Sequence, residues 1–356
     1  MNGKRIAAFA LLALFLAASL GFAQAAQKKA KSEPRVFIPK EVKAVMEAGL
    51  LTKQARLDIP FAITGHLYLP AGTSFQNIFT LEAVNKDLGF APPSPTPAAQ
   101  ARDKAFEGPG QPEPVTEMRA AFSLFVQFRE ISAGLPGQLV KEVYVPCTEV
   151  IPAAQYDPEK KEAYYVGYPL PAGKYIATLA LTTNDLKTIG IQYLEFSTPD
   201  PAAFTDRIDT TPVFTAKSIE RMEAPEDRTI LHKDFFTYSI LKIVPNINNV
   251  ISPDENLDIF YFVFGARPDS EQKYGLETTF EVKKGEESVI KFAPAVMDSP
   301  LVSLPLPLKR SLVTQTEAGE KREDKNLEAG NYALMIKITD KNTGLSVTKN
   351  LNFIVQ

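Results

Sequence analysis

The amino-acid sequence predicts an all-β protein: two β-sandwiches in tandem behind an export signal and one short helix. Three observations carry this. Apolar and polar residues alternate with a period of two through most of the chain, a pattern recurs without a gap at an offset of 157 residues, and proline-rich or charged stretches separate the strand-rich blocks. At 356 residues, with 45% hydrophobic and 23% charged residues, the chain has the composition of a globular protein and the length of two ordinary domains.

The first residues read as a secretory signal. Lys4 and Arg5 precede an apolar run from Ile6 to Phe22, and Ala23-Gln24-Ala25 supplies the small-residue cleavage site. Segment 1–25 is therefore expected to be removed, leaving no membrane span, the alternative being an uncleaved anchor helix, and no cysteine lies near the cut to take a lipid. The formal net charge of −3 becomes more negative once Lys4 and Arg5 are lost. A mildly acidic chain without a basic block is not built for nucleic acid or an anionic membrane surface. Cys147 is the only cysteine, so no intramolecular disulfide can form, and stability must come from packing.

Segment 26–54 reads as a polar leader ending in a short helix. Pro39 opens it, and Val42, Val45, Met46 and Leu50 fall at helical spacing between Lys40 and Leu51. A first sandwich follows over 55–200, with strands at Ala62–Leu69, Ile78–Val84, Ala121–Phe128, Leu139–Val145, Ala163–Tyr168, Tyr175–Thr182 and Gln192–Phe196. Ala91–Pro114 interrupts it with Pro92, Pro93, Pro95, Pro97, Pro109, Pro112 and Pro114. That much proline cannot sit in a hydrogen-bonded ladder and marks an irregular insertion. Segment 201–228 is charged and reads as a strand-poor linker. A second sandwich is expected over 229–356, with strands at Phe235–Val244, Leu257–Phe264, Thr278–Val282, Tyr332–Thr339 and Leu351–Val355.

The repeat is the most specific signal. Leu170, Ala172, Gly173, Tyr175, Leu179, Leu181, Thr182, Leu194 and Phe196 match Leu327, Ala329, Gly330, Tyr332, Ile336, Ile338, Thr339, Leu351 and Phe353. Glycine turns the chain, tyrosine and alternating aliphatics fill one strand face, and a second strand returns to end on an inward phenylalanine.

Candidate chemistry is sparse. His66 and His232 are the only histidines, one in each half, which argues against a catalytic triad or a histidine-rich metal site. Asp254, Glu255 and Asp258, and separately Asp340 to Gly344, group oxygen ligands that calcium favours, but the second group also reads as a hairpin turn. No phosphate-binding glycine loop, paired-cysteine spacing or metalloprotease motif occurs. No metal or cofactor is expected. Tyr164, Tyr165 and Tyr168 form the densest aromatic group and are the candidate partner- or ligand-binding residues, a stacking platform for sugar or peptide.

From Leu327-Glu328-Ala329-Gly330-Asn331-Tyr332 to Asp340 and Phe353, and over the matching stretch from Leu170, the chain resembles the β-sandwich modules of secreted bacterial GWxTD-type and acidobacterial-type exported proteins. The resemblance implies immunoglobulin-like or fibronectin-like sandwiches in a periplasmic or extracellular setting. The GWxTD motif requires a tryptophan and this chain has none, so no functional residue is carried over. The expected function is that of a non-enzymatic exported scaffold or protein-interaction protein, whose partner is another exported or envelope protein. The alternative is a carbohydrate- or envelope-binding module. Carboxylate-only glycoside hydrolysis would need two acids converging across a cleft.

Overall fold

Residues 36–93, 115–316 and 319–356 are described in a computed structural model, without the side chains of 310–323. Segment 1–25, the leader up to residue 35 and the proline-rich 94–114 lie outside the described residues. Helix α1 (Lys40–Ala48) precedes β1 (Arg56–Leu57), β2 (Phe61–Ala71), β3 (Ser74–Val84), β4 (Glu117–Ser132), β5 (Leu135–Pro152), β6 (Lys161–Leu170), β7 (Gly173–Thr183) and β8 (Ile189–Thr198). The second half adds β9 (Asp209–Thr210), β10 (Phe214–Arg221), β11 (Leu231–Lys233), β12 (Phe236–Tyr238), β13 (Leu241–Pro245), β14 (Val250–Ile251), β15 (Asn256–Phe264), β16 (Leu276–Lys284), β17 (Glu287–Lys291), β18 (Ala295–Met297), β19 (Leu301–Pro307), β20 (Lys309–Thr316), β21 (Gly319–Asn326), β22 (Gly330–Asp340) and β23 (Ser346–Val355). The fold is all-β, and α1 is its one α-helix among the described residues. No described helix is long and apolar enough to cross a membrane.

In the first half a sheet of order β1-β8-β7-β4-β5 faces one of order β11-β6-β3-β2. Alternate residues of each strand point between them. Leu124, Val126 and Phe128 meet Phe79, Leu81 and Val166 in one buried cluster. Phe125 points the other way, where α1 lays Val42 and Met46 over it and over Ala180, Ile189 and Ile191. This explains why Phe122 to Phe128 is almost continuously apolar: β4 is buried on both faces. Tyr193 on β8 donates its hydroxyl to the Met46 carbonyl near the C-terminal end of the helix (2.8 Å).

The second half repeats this arrangement. A sheet of order β14-β23-β22-β16-β17, with β18 also on β16, faces one of order β12-β13-β10-β15-β19, with β9 also on β15. Leu257, Ile259, Tyr261 and Val263 meet Leu334, Ile336, Ile338 and Phe353 in the second core. The order β8-β7-β4-β5 corresponds to β23-β22-β16-β17, and β2-β3-β6 to β10-β15-β19. The outermost pairs differ, because β1 runs antiparallel to β8 while β14 runs parallel to β23. Strands β20 and β21 form a separate two-stranded ribbon between Leu308 and Leu327, both buried in the second core.

The halves do not meet through a polar linker, which corrects the expectation for 201–228. Strand β10 lies in that stretch, paired with β13 on one side and β15 on the other. Its alternation is broken by a bulge between Ala216 and Ser218, which hides the period of two from a linear reading. The boundary at 229 is also displaced: β11 adds to β6 of the first half, with Leu231 opposite Val166 and Lys233 opposite Tyr164. The single strand expected over Phe235–Val244 is a tight hairpin, folded at Ser239 in a left-handed conformation (φ 54°).

A third cluster joins the halves. Leu69, Ile78 and Tyr165 from the outer face of the first sandwich pack on Ala216, Phe236, Ile243 and Phe260 of the second. Tyr238 donates its hydroxyl to the Pro70 carbonyl across the seam (2.5 Å). Phe236, Ile243 and Phe260 are each no more than 1% exposed, and burying such a side chain contributes about 1.5–3 kcal/mol. The layers thus run in order: helix, sheet, core, sheet, seam, sheet, core, sheet.

Candidate functional site

The three tyrosines do not form a platform. They sit on β6, where successive side chains point to opposite faces. Tyr164 enters the first core and Tyr165 the seam, each 2% exposed. Tyr165 lies 6.0 Å from the Phe236 ring. Tyr168 is half-buried, stacked on Phe128 at 5.6 Å, with the Lys141 ammonium 5.8 Å from its ring centre. The density of tyrosine that suggested a surface reflects a strand covered on both sides.

The cysteine is buried and the two histidines are partly covered. Cys147 is buried, points its thiol toward the Val145 carbonyl (3.5 Å), and is pushed up to about 12 by burial, with Glu149 adding to the effect. Burial thus favours the protonated thiol over the thiolate that nucleophilic chemistry needs. His66 lies 4.6 Å from the Phe196 ring and bonds through Nε2 to Asn77 Oδ1 at 3.0 Å. Burial lowers its pKa against the opposing Asn77 bond. His232 contacts Glu226 Oε2 at 2.9 Å.

The oxygen-rich loops are occupied by their own chain. Asp340 is fully buried and accepts from Arg267 N (3.1 Å), Asn342 N (3.0 Å) and Thr343 Oγ1 (2.9 Å). It organises the turn from Asp340 to Gly344. Glu255 accepts from Ser252 N at 3.1 Å. Asp258 has one buried oxygen without a partner, and burial followed by the charge of Glu255 raises its pKa. No group of three or more His, Cys, Asp or Glu able to hold a metal ion occurs among the described residues.

One acidic group is sharply built. Glu162, on β6, is 4% exposed and takes Lys233 Nζ at 2.9 Å and Lys160 Nζ at 3.0 Å. Burial works against its ionisation, but the two ammonium groups prevail and lower its pKa. Burial raises Glu149, with Lys233 opposing and Asp234 and Glu162 reinforcing. Because Lys233 belongs to β11, this ion pair fastens that strand to β6 within the first half's sheet.

Two surface depressions were not foreseen. One, of about 500 Å³, opens on the outer face of the last sheet between Asn248, Asn331 and Asn352, with Ala333, Ile354 and Gly285. The other, of about 180 Å³, lies at the seam between Tyr165, Lys217, Asp234 and Asn248. Asn248 borders both. The signal was present in the hairpin register, since Asn331 lies opposite Ile354 and Ala333 opposite Asn352. This sets both asparagines on one face, away from Tyr332 and Phe353.

No protein-family model matches this chain, and no curated protein matches it. Among solved structures, a point mutant of Salmonella alpha-2-macroglobulin aligns over 90% of this chain and 17% of its own, at 10% identity and a TM-score of 0.16. This chain thus spans about a sixth of that protein, and so low a score carries no argument about fold or function.

Proposed function

We propose that this is an exported, non-enzymatic scaffold in which two immunoglobulin-like sandwiches act as one body and engage another exported or envelope protein. The strand orders support the immunoglobulin-like reading: three strands (β2-β3-β6) face four (β8-β7-β4-β5), and the second half has the corresponding seven. Tyr175, near the start of β7, donates its hydroxyl back to the Pro171 carbonyl (3.1 Å), the corner bond known from such sandwiches. Lys4-Arg5, the apolar run and Ala23-Gln24-Ala25 support export.

The observation that carries the partner reading is β5. Among the described residues it pairs with β4 on one side only, and Leu135, Val140, Tyr144 and Val150 along it are exposed. Pro136 and Pro146 leave between them a run that an extended segment of a partner can extend by strand addition. A photo-crosslinking residue at Tyr144 in the exported protein is expected to capture a discrete partner. A control at Lys337, exposed on the far sheet, is expected to capture none, and Val150→Lys should reduce the yield. Equal labelling from both positions would overturn the reading. Export is tested by N-terminal sequencing, expected to begin at Ala26; an intact Met1 in the membrane fraction refutes cleavage.

A further inference from the structure

The geometry points to a second binding site, independent of β5, in which Asn248, Asn331 and Asn352 hold a neutral glycan chain. Four separate segments meet around this depression: the loop before β14, the ends of β22 and β23, and the turn after β16. Its volume of about 500 Å³ falls within the roughly 300–1,000 Å³ of small-molecule sites.

The lining chemistry selects the ligand. Among the lining residues the one ionisable side chain is the Tyr332 phenol, which donates its hydroxyl to the Glu328 carbonyl (2.8 Å), so no charged group lines the depression to favour an anion or a cation. Each carboxamide offers two donors and one acceptor oxygen, and none of these three is engaged in a hydrogen bond within the described chain. The half-buried side chains of Ala333 and Ile354 lie between them and provide an apolar surface. Hydroxyls arrayed around a C–H face match neutral carboxamides arrayed around an aliphatic floor.

The loop that carries Asn248 is held in place. Its neighbour Asn246 donates to the Val250 carbonyl at 2.7 Å, and Asn249 accepts from Thr215 Oγ1 at 2.7 Å. The Asn249 carbonyl accepts from Ile354 N at 2.8 Å, and Asn249 itself is left-handed (φ 50°). Asn248 is thus presented between two anchored residues, which lowers the ordering cost of binding. Because it also borders the seam crevice, a chain of several sugars can run from one depression into the other.

Calorimetric titration of the full protein with maltohexaose, cellohexaose, mannohexaose and chitohexaose tests this. At least one is expected to bind with Kd on the order of 1 mM. N248A, N331A and N352A should each weaken it about five-fold, the loss of one hydrogen bond, while N184A, exposed in the turn between β7 and β8, leaves it unchanged. Absence of binding by all four at about ten times that concentration, binding indifferent to the three substitutions, or equal binding of polygalacturonate would overturn the proposal. The crosslinking outcome at Tyr144 is unaffected by any of these results.

Discussion

Tyr332 lies directly across the last hairpin from Phe353, their rings stacked 5.6 Å apart and 22° from parallel. Tyr175 and Phe196 repeat the relationship at 5.5 Å and 29°. Each tyrosine donates its hydroxyl to the carbonyl four residues upstream, Glu328 at 2.8 Å and Pro171 at 3.1 Å. The ungapped sequence repeat is therefore a repeat of contacts. Tyr332→Phe, which loses only the hydroxyl bond, should cost about 1 kcal/mol. Tyr332→Ala, which also empties the site, should cost about 3–5 kcal/mol. Urea denaturation measures both; equal losses would show that the ring packing contributes little.

The glycines that precede these tyrosines are needed for different reasons. At Gly173 a Cβ would come within 2.9–3.1 Å of the Tyr175 ring and hydroxyl, whereas at Gly330 the backbone sits at φ +156° and a Cβ would meet the flexible Lys284 side chain at 3.4–3.5 Å and the Tyr332 ring only in ordinary contact at 3.7 Å. Gly173→Ala and Tyr175→Leu should therefore couple strongly in a double-mutant cycle, while Gly330→Ala and Tyr332→Leu, in ordinary contact only, should couple less. Additivity in the first pair would remove the steric account of Gly173.

The seam makes the halves interdependent. A fragment from Thr229 to Gln356 lacks β10, which lies between β13 and β15, and should fail to give a cooperative unfolding transition by circular dichroism. A fragment beginning at Pro201 keeps β9 and β10 and should fold, but with Phe236, Ile243 and Phe260 uncovered it should tend to associate. A monomeric, fully stable 229–356 fragment would contradict the position of β10.

Acidification should weaken the fold through His66. Its pKa is lowered below 6.5 by burial, against the Asn77 bond, so the unfolded chain binds the proton more readily. The stability held above the unfolded pKa of 6.5 is lost as pH falls through the folded value. Glu162, also lowered, adds a second loss below its ordinary value of 4.5. The Tm should fall between pH 7 and pH 5, and less so in His66→Gln. An unchanged slope in that variant would exclude His66 as the sensor.

Calcium should not stabilise the protein. The Asp340 carboxylate already takes two backbone N–H groups and one hydroxyl, and a cation would have to displace them. Tm in EDTA and in millimolar calcium should agree; a rise with calcium would show binding to the native state by mass action.

The sequence by itself determined what is local: the all-β class, the short helix, and the inward faces of β7, β8, β22 and β23. Alternation reports which side of a strand is buried, and the repeat reports that two hairpins bury it alike. It also carried Asn331 and Asn352 onto one face, though nothing local marked that face as a depression. Only the tertiary structure decided that Tyr164 and Tyr165 belong to two different cores and that Phe260 seals the seam. It alone placed Asn248 beside two strands that follow it by about a hundred residues. Those outcomes depend on which sheets face one another, a choice made by contacts between distant segments, so no period within a single strand records it.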